Sequence, residues 1–79
     1  MKITVEIKPT SESEKERPNQ VEIYCDQEGL ESLIMDLSRL KKPGDHSHFM
    51  TPSWGMYDLC EDKVEPKNDL VHHLEVILI

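Results

Sequence analysis

Apolar and polar positions alternate strictly over residues 2–8 and again over residues 21–25. A period of two residues is typical of a strand with one buried face, so we predict two strands here. Residues 10–19 between them are polar and predict a mobile loop that closes a hairpin. Thr4 and Glu6 should face outward. The side chains expected to face inward are Ile3, Val5, Ile7, Val21, Ile23 and Cys25.

A different period follows, in which apolar residues recur every three or four positions. This spacing predicts a helix over residues 28–41 with a single apolar stripe. Asp26 stands in a good N-cap position, and Pro43-Gly44 should end the helix. The stripe comprises Leu30, Leu33, Ile34, Leu37 and Leu40.

The C-terminal half predicts two further strands separated by a long loop. Residues 45–50 form a short third strand with Phe49 facing the core. Residues 51–68 contain Pro and Gly without a clean period, so we expect a loop, with one turn of helix around residues 57–60. Residues 69–79 are rich in Leu, Val and Ile and should form the fourth and longest strand.

The predicted element order β-β-α-β-β defines one small α+β domain over residues 1–79. A helix with one apolar stripe and alternating strands favour a two-layer sandwich, in which a four-stranded sheet carries the helix on one face. The other face of the sheet is then open to solvent, and the strand order stays undetermined. The residues expected in the core are Val5, Ile23, Leu33, Ile34, Leu37, Leu74 and Val76.

Size and charge narrow the classes of function. A chain of 79 residues with a net charge of −7 is a poor partner for nucleic acid, because lysine and arginine carry phosphate binding. The charge is compatible with a basic protein partner. No apolar run approaches the ~20 residues of a membrane span and no signal peptide is evident. We therefore expect a cytoplasmic protein, off the membrane, with Cys25 and Cys60 as free thiols.

All four histidines lie in two short segments, residues 46–48 and 72–73. If the last two strands are neighbours, strand parity places three of them and one carboxylate on the open face, with His72 at the edge of the core. We expect these to be hydrogen-bonded surface residues that hold no cofactor or metal. The alternative is a zinc site with an open position for water. Its ligands would be His46, His48, His73 and Glu75.

Trp54, in a loop rich in Pro and Gly, allows two interpretations. It can plug the open end of a small core, because its ring buries a large area. It can instead be an exposed anchor for a partner, a role in which Trp is over-represented. We favour the plug, although the neighbouring Met56 and Tyr57 keep the anchor in view.

Three strings of residues resemble the immunity protein 32 family of bacterial polymorphic toxin systems. They are His46-x-His48-Phe49-Met50-Thr51-Pro52-Ser53-Trp54-Gly55, Asp58-Leu59, and Val71-His72-His73-Leu74. With the helix that begins near Glu28-Gly29-Leu30, the resemblance covers about two-thirds of the chain. The chain departs from the family at Met56, where a second Gly is usual, and at Glu75, where a basic residue is frequent. The resemblance implies a small α+β protein that neutralises a cognate toxin by binding it, with no reaction of its own.

We therefore expect a non-catalytic protein-binding module, either a monomer or a homodimer. Two alternatives stay open: a small metal-dependent enzyme or regulator that uses the histidines, and a homodimeric structural module whose open sheet face is paired with itself. The residues expected to contact a partner are His46, His48, Trp54, Tyr57 and His73.

Overall fold

The computed structural model of this chain describes residues 1–9 and 20–79. Within them the α+β class is confirmed, with one α-helix and five short strands. The mobile loop predicted over residues 10–19 lies outside the described residues. The elements are β1 (Ile3–Lys8), β2 (Gln20–Cys25), α1 (Gln27–Leu37), β3 (His46–Met50), a 3-10 turn (Pro52–Trp54), β4 (Asp69–Val71) and β5 (His73–Ile77).

The strands form two sheets, so the prediction of a single four-stranded sheet is wrong. The first sheet is antiparallel in the order β2-β1-β4, and the second pairs β3 with β5. The long strand predicted over residues 69–79 is divided by a bend at His72. The carbonyl of His72 accepts a hydrogen bond of 3.0 Å from the backbone N–H of Thr51. This bend lets β4 pair with β1 while β5 pairs with β3.

The core lies between the two sheets. Its buried apolar side chains are Ile3 and Val5 from β1, Phe49 from β3, and Leu59. Backbone bonds hold the segment that carries Leu59: its N–H donates to the carbonyl of Met50 at 3.0 Å, and the next N–H donates to the carbonyl of Ile3 at 2.7 Å. The burial predicted for Val5 and Phe49 is confirmed. Leu59 was expected in a loop, and the one turn of helix predicted around it is absent from this described segment.

Helix α1 has the predicted N-cap, begins one residue before the predicted start and ends four residues before the predicted end. The carboxylate of Asp26 caps it by accepting a hydrogen bond of 2.7 Å from the backbone N–H of Gly29. The helix stops at Leu37, and the N–H groups of Arg39 and Leu40 then bond to carbonyls only three residues back. Such bonds tighten a helix end into a turn. Residues 38–41 are therefore outside the helix.

The apolar stripe of α1 covers less of the core than its periodicity predicts. Leu33 packs against the core, whereas Leu30, Ile34 and Leu37 are exposed. The helix approaches β1 through its first turn at Gly29, while Phe49 of the second sheet and Leu59 of the following loop complete the buried core. The burial predicted for Ile34, Leu37 and Ile23 is wrong, because all three are exposed. Val21 and Cys25, which were expected to face inward on β2, are exposed as well. Leu74 and Val76 are partly buried and pack against the core.

Strand β1 is buried on both faces, which corrects the outward placement of Thr4 and Glu6. Both are fully buried, because the loop after Leu59 covers the polar face of β1. The Glu6 carboxylate accepts hydrogen bonds from Thr4 at 2.7 Å and from the side chain of Asn68 at 3.1 Å. The backbone N–H groups of Val64 and Glu65 also donate to it, at 2.9 and 3.2 Å. Glu6 thereby ties the loop to the sheet.

Hydrogen bonding sets the titration of this buried carboxyl group. Burial raises the pKa of Glu6, but the hydrogen bonds from Val64, Thr4, Asn68 and Glu65 together outweigh it. The net effect is a pKa below the ordinary value of 4.5. The ionised carboxylate is therefore the form that the fold favours.

Two further expectations concern the thiols and the membrane. Cys25 and Cys60 are both free thiols, as predicted, the first exposed and the second half-buried. In residues 1–9 and 20–79, no helix has the length and apolar character needed to cross a membrane.

Candidate functional site

The pairing of β3 with β5 brings three histidines and a carboxylate onto one face. His48 lies directly opposite Glu75, and His73 lies two positions further along, opposite Met50. His46 shares the face because it is two residues from His48. The intervening Phe49 points into the core. The predicted juxtaposition is confirmed, and we call His46, His48, His73 and Glu75 the histidine face.

His48 is the centre of the contacts on the histidine face. Its Nδ1 lies 2.9 Å from Nε2 of His73, and its Nε2 lies 3.2 Å from Oε2 of Glu75. The contact with His73 is a hydrogen bond in which either ring can donate, depending on its tautomer. The contact with Glu75 is a close approach that becomes an ion pair when His48 is protonated. The three side chains therefore lie in one row of polar contacts.

His46 borders this row with its own backbone partner. Its Nδ1 lies 3.2 Å from the carbonyl oxygen of Gly44, and its ring meets His48 edge-on, with centroids 5.0 Å apart. One ligand atom each from His46, His48 and Glu75 lie within 4.8 Å of one another. His73 is outside this group and contacts His48 instead. The structure therefore brings together three of the four residues in the zinc alternative.

Trp54 lies beside the histidine face and does not plug the core. Its side chain is 57% exposed, which makes the favoured sequence interpretation wrong. Its ring lies 5.6 Å from that of His73, centroid to centroid. The buried core residues on either side of it in the sequence are Phe49 and Leu59. The exposed position agrees with the anchor interpretation.

The segment that presents Trp54, residues 51–57, is called the aromatic loop below. Thr51 is fully buried at its start, and its Oγ1 lies 2.6 Å from Nδ1 of His72. The backbone N–H of Ser53 donates to the carboxylate of Glu61 at 2.8 Å. Hydrogen bonds from Ser53 hold the pKa of Glu61 below its ordinary value. Side chains from outside the loop therefore fix its position.

Local backbone bonds set the shape of the aromatic loop. The N–H of Trp54 donates to the carbonyl of Thr51 at 2.9 Å, and the N–H of Gly55 donates to that of Pro52 at 2.9 Å. Gly55 has φ of 93°, a left-handed conformation that glycine adopts without the steric cost of a Cβ. The Trp-Gly pair is therefore a rigid turn that presents the indole ring.

Tyr57 extends the exposed surface at the far end of the loop. Its side chain is 83% exposed, and Met56 beside it is also exposed. Within the described residues, Tyr57 makes none of the ring contacts that join Trp54 to His73. Four of the five predicted partner-binding residues therefore lie in contact, and Tyr57 lies along the same loop.

Sequence reasoning missed the residues that support this surface. Thr51 and His72 are 21 positions apart, and Ser53 and Glu61 are eight apart, so no local period connects them. His72 was expected at the core edge, and its half-buried position agrees. One feature of the sequence could have indicated the turn that presents Trp54: Thr51 directly precedes Pro52, and Thr followed by Pro is a frequent start of a helical turn.

Comparison with known proteins identifies no relative: no protein-family model, no curated protein and no solved structure matches this chain.

Proposed function

We propose that this protein is a non-catalytic protein-binding module. The observation that carries the proposal is the exposure of Trp54 and Tyr57 on a loop fixed by hydrogen bonds. Trp and Tyr dominate the binding energy of many interfaces, because their rings supply large apolar contact area. A large aromatic side chain that is exposed to water contributes little to the stability of the fold, but it can bury its apolar surface against a partner.

The rigidity of the aromatic loop supports the same function. Ordering a loop during association costs free energy, and a loop that is already ordered avoids that cost. Thr51 bonds to His72, and Ser53 bonds to Glu61. Both anchors lie outside the exposed rings, so the rings themselves stay free to contact a partner.

The histidine face adds polar recognition beside the aromatic anchors. His48 and Glu75 have side chains about one-third exposed, so their unused donors and acceptors can reach a partner. The net charge of −7 favours a partner with a basic surface, since complementary charge speeds encounter. A surface with aromatic anchors beside polar groups is typical of specific protein interfaces.

The partner that we propose is a bacterial toxin, which this protein would neutralise by occlusion. This part of the proposal rests on the resemblance of residues 46–55 and 71–74 to the immunity protein 32 family. As a binder, the protein needs no nucleophile or general base of its own. Neutralisation would require only that the aromatic loop and the histidine face cover a functional surface of the toxin.

The test is the affinity of purified protein for the toxin domain encoded beside its gene. Calorimetry should give one toxin per chain. Trp54→Ala and Tyr57→Ala should each weaken binding by about 1–4 kcal/mol, the range of interface anchors. Because Trp54 is exposed, its removal should leave the unfolding temperature nearly unchanged.

Met35→Ala is the matched control, since Met35 is 59% exposed on helix α1, outside the aromatic loop and the histidine face. This variant should bind the toxin like the wild type. Absence of any complex, or equal affinity for all three variants, would refute the proposal. Co-expression with the toxin gives a second readout, in which wild type and Met35→Ala protect cells and Trp54→Ala protects them less.

A further inference from the structure

We infer that His46, His48 and Glu75 form a binding site for a divalent transition-metal ion of the zinc class. The site goes beyond the proposed partner binding, and it gives a second role to the His48–Glu75 pair of the histidine face. Two imidazoles and one carboxylate are a ligand set that zinc accepts, with the remaining position open to water or an incoming group. Each residue lies on the exposed face of the β3–β5 pair.

The distances between the ligand atoms are close to those that zinc needs. Bonds of about 2.0–2.1 Å in tetrahedral geometry separate neighbouring ligand atoms by about 3.3 Å. Nε2 of His48 and Oε2 of Glu75 are already 3.2 Å apart. One ligand atom from each of the three residues lies within 4.8 Å of the other two. His46 therefore has to move inward to complete the site, which its exposed side chain can do by rotation.

The hydrogen bond of His46 leaves one ring nitrogen free for a metal. The carbonyl oxygen of Gly44 can only accept, so Nδ1 of His46 carries the hydrogen and its lone pair falls on Nε2. A backbone carbonyl that holds the second ring nitrogen is the usual support for a metal-binding histidine. Gly44 is itself held, because its N–H donates to the carbonyl of Leu78 at 2.8 Å.

His73 supports His48 in the same way. For Nε2 of His48 to bind a metal, its hydrogen must lie on Nδ1, and Nδ1 is 2.9 Å from Nε2 of His73. His73 can accept that hydrogen, since its own hydrogen then moves to Nδ1. Either ring can donate in this contact, so His73 can take the accepting role when His48 binds a metal. His73 is a positioning residue in this site and does not ligate.

Zinc titration of the untagged full chain, after removal of metal with a chelator, tests the inference. Calorimetry should show one Zn²⁺ per chain. His48→Ala and Glu75→Gln should each weaken binding more than 100-fold. His73→Ala should weaken it about 10–100-fold, the range for loss of a supporting partner. Trp54, the single tryptophan, lies 5.6 Å from His73, so its fluorescence should change as zinc binds.

Glu31→Gln serves as the matched control, because it removes an exposed carboxylate on α1. It should bind zinc like the wild type. Circular dichroism of every variant without metal separates loss of binding from loss of fold, and the visible spectrum of the wild type with Co²⁺ reports the ligand geometry.

The inference is overturned if zinc does not bind, or if His48→Ala and Glu75→Gln bind it as tightly as the wild type. A loss for His73→Ala as large as for the two ligands would overturn the three-ligand assignment. These outcomes are independent of partner binding, because the measurement uses the protein and zinc alone.

Discussion

The hydroxyl oxygen of Thr51 lies 2.6 Å from Nδ1 of His72, joining the start of the aromatic loop to the bend between β4 and β5. A second bond, from the N–H of Thr51 to the carbonyl of His72, runs alongside it at 3.0 Å. The bend that splits the last strand and the loop that presents Trp54 are therefore one structural unit.

Thr51→Val tests this connection, because valine keeps the shape and removes the hydroxyl. The change removes the hydrogen bond of Nδ1 of the half-buried His72, whose next polar neighbour, Oε1 of Glu61, is 3.9 Å away. This loss should lower the free energy of unfolding by about 1–3 kcal/mol. Urea denaturation measures the loss. Thr51→Ser keeps the hydroxyl and should recover most of it. Equal stability of the Val and Ser variants would show that the hydroxyl contributes nothing.

The ionisation of Glu6 should make the free energy of unfolding depend on pH. Since hydrogen bonds bring the pKa of Glu6 below its ordinary value of 4.5 despite the opposing effect of burial, its contribution is complete above that value. The contribution is lost as the pH falls through the lower folded-state pKa. Glu6→Gln should therefore cost about 1–3 kcal/mol near neutral pH, because an amide group would face backbone donors. It should also make the loss of stability less steep as the pH falls below 4.5.

Chemical denaturation at a series of pH values measures both effects. Glu31→Gln, at an exposed position on α1, is the control and should follow the wild-type profile. The free energy of unfolding of Glu6→Gln should still fall in acid, but less steeply than that of the wild type. The remaining fall is expected because the pKa values of Asp26, Asp45 and Glu61 are also lowered. An unchanged acid limb in Glu6→Gln would contradict the role given to this carboxylate.

Gly29 should resist a substitution that usually stabilises helices. Replacing glycine by alanine inside a helix typically gains 0.5–1 kcal/mol. Here an added Cβ would lie 2.8 Å from Cγ1 of Ile3 and would also meet the backbone carbonyl of Lys2. We expect Gly29→Ala to lower stability by about 1–3 kcal/mol, the usual cost of overpacking.

Thermal unfolding measures this change, at roughly 4–8 °C per kcal/mol for a domain of this size. Glu31→Ala, at an exposed helix position, should stay within about 0.5 kcal/mol of the wild type. A melting temperature for Gly29→Ala at or above that of the wild type would mean that the first turn of α1 can move away from β1.

Leu59 and Leu37 distinguish the observed core from the core that the helical periodicity predicts. Leu59 is fully buried, whereas Leu37 is exposed. Leu59→Ala should cost about 2–5 kcal/mol, including the cavity that it leaves. Leu37→Ala should cost about 1 kcal/mol or less, because little apolar area returns to water. Denaturant titration of the two variants compares them directly, and equal losses would contradict the placement of the core between the sheets.

Sequence alone determined the features that depend on near neighbours. Alternation placed Ile3 and Val5 inside and put His46 and His48 on the same side of β3, because successive strand side chains point to opposite faces. Asp26 as the helix cap follows from its short acceptor side chain beside free backbone N–H groups. The histidine face then required one further condition, that β3 and β5 be neighbours, which the pairing satisfies.

The tertiary structure decided which surfaces are covered and where the last strand breaks. Glu6 alternates like a solvent-facing residue but is buried because Val64, Glu65 and Asn68 bond to it from about 60 positions away. The apolar stripe on α1 has the period of a buried face, yet most of its residues are exposed, and side chains of the second sheet pack in the core instead. The bend at His72 depends on Thr51, 21 positions earlier. Local pattern sets the direction of each side chain, whereas contacts between distant segments determine what lies against it.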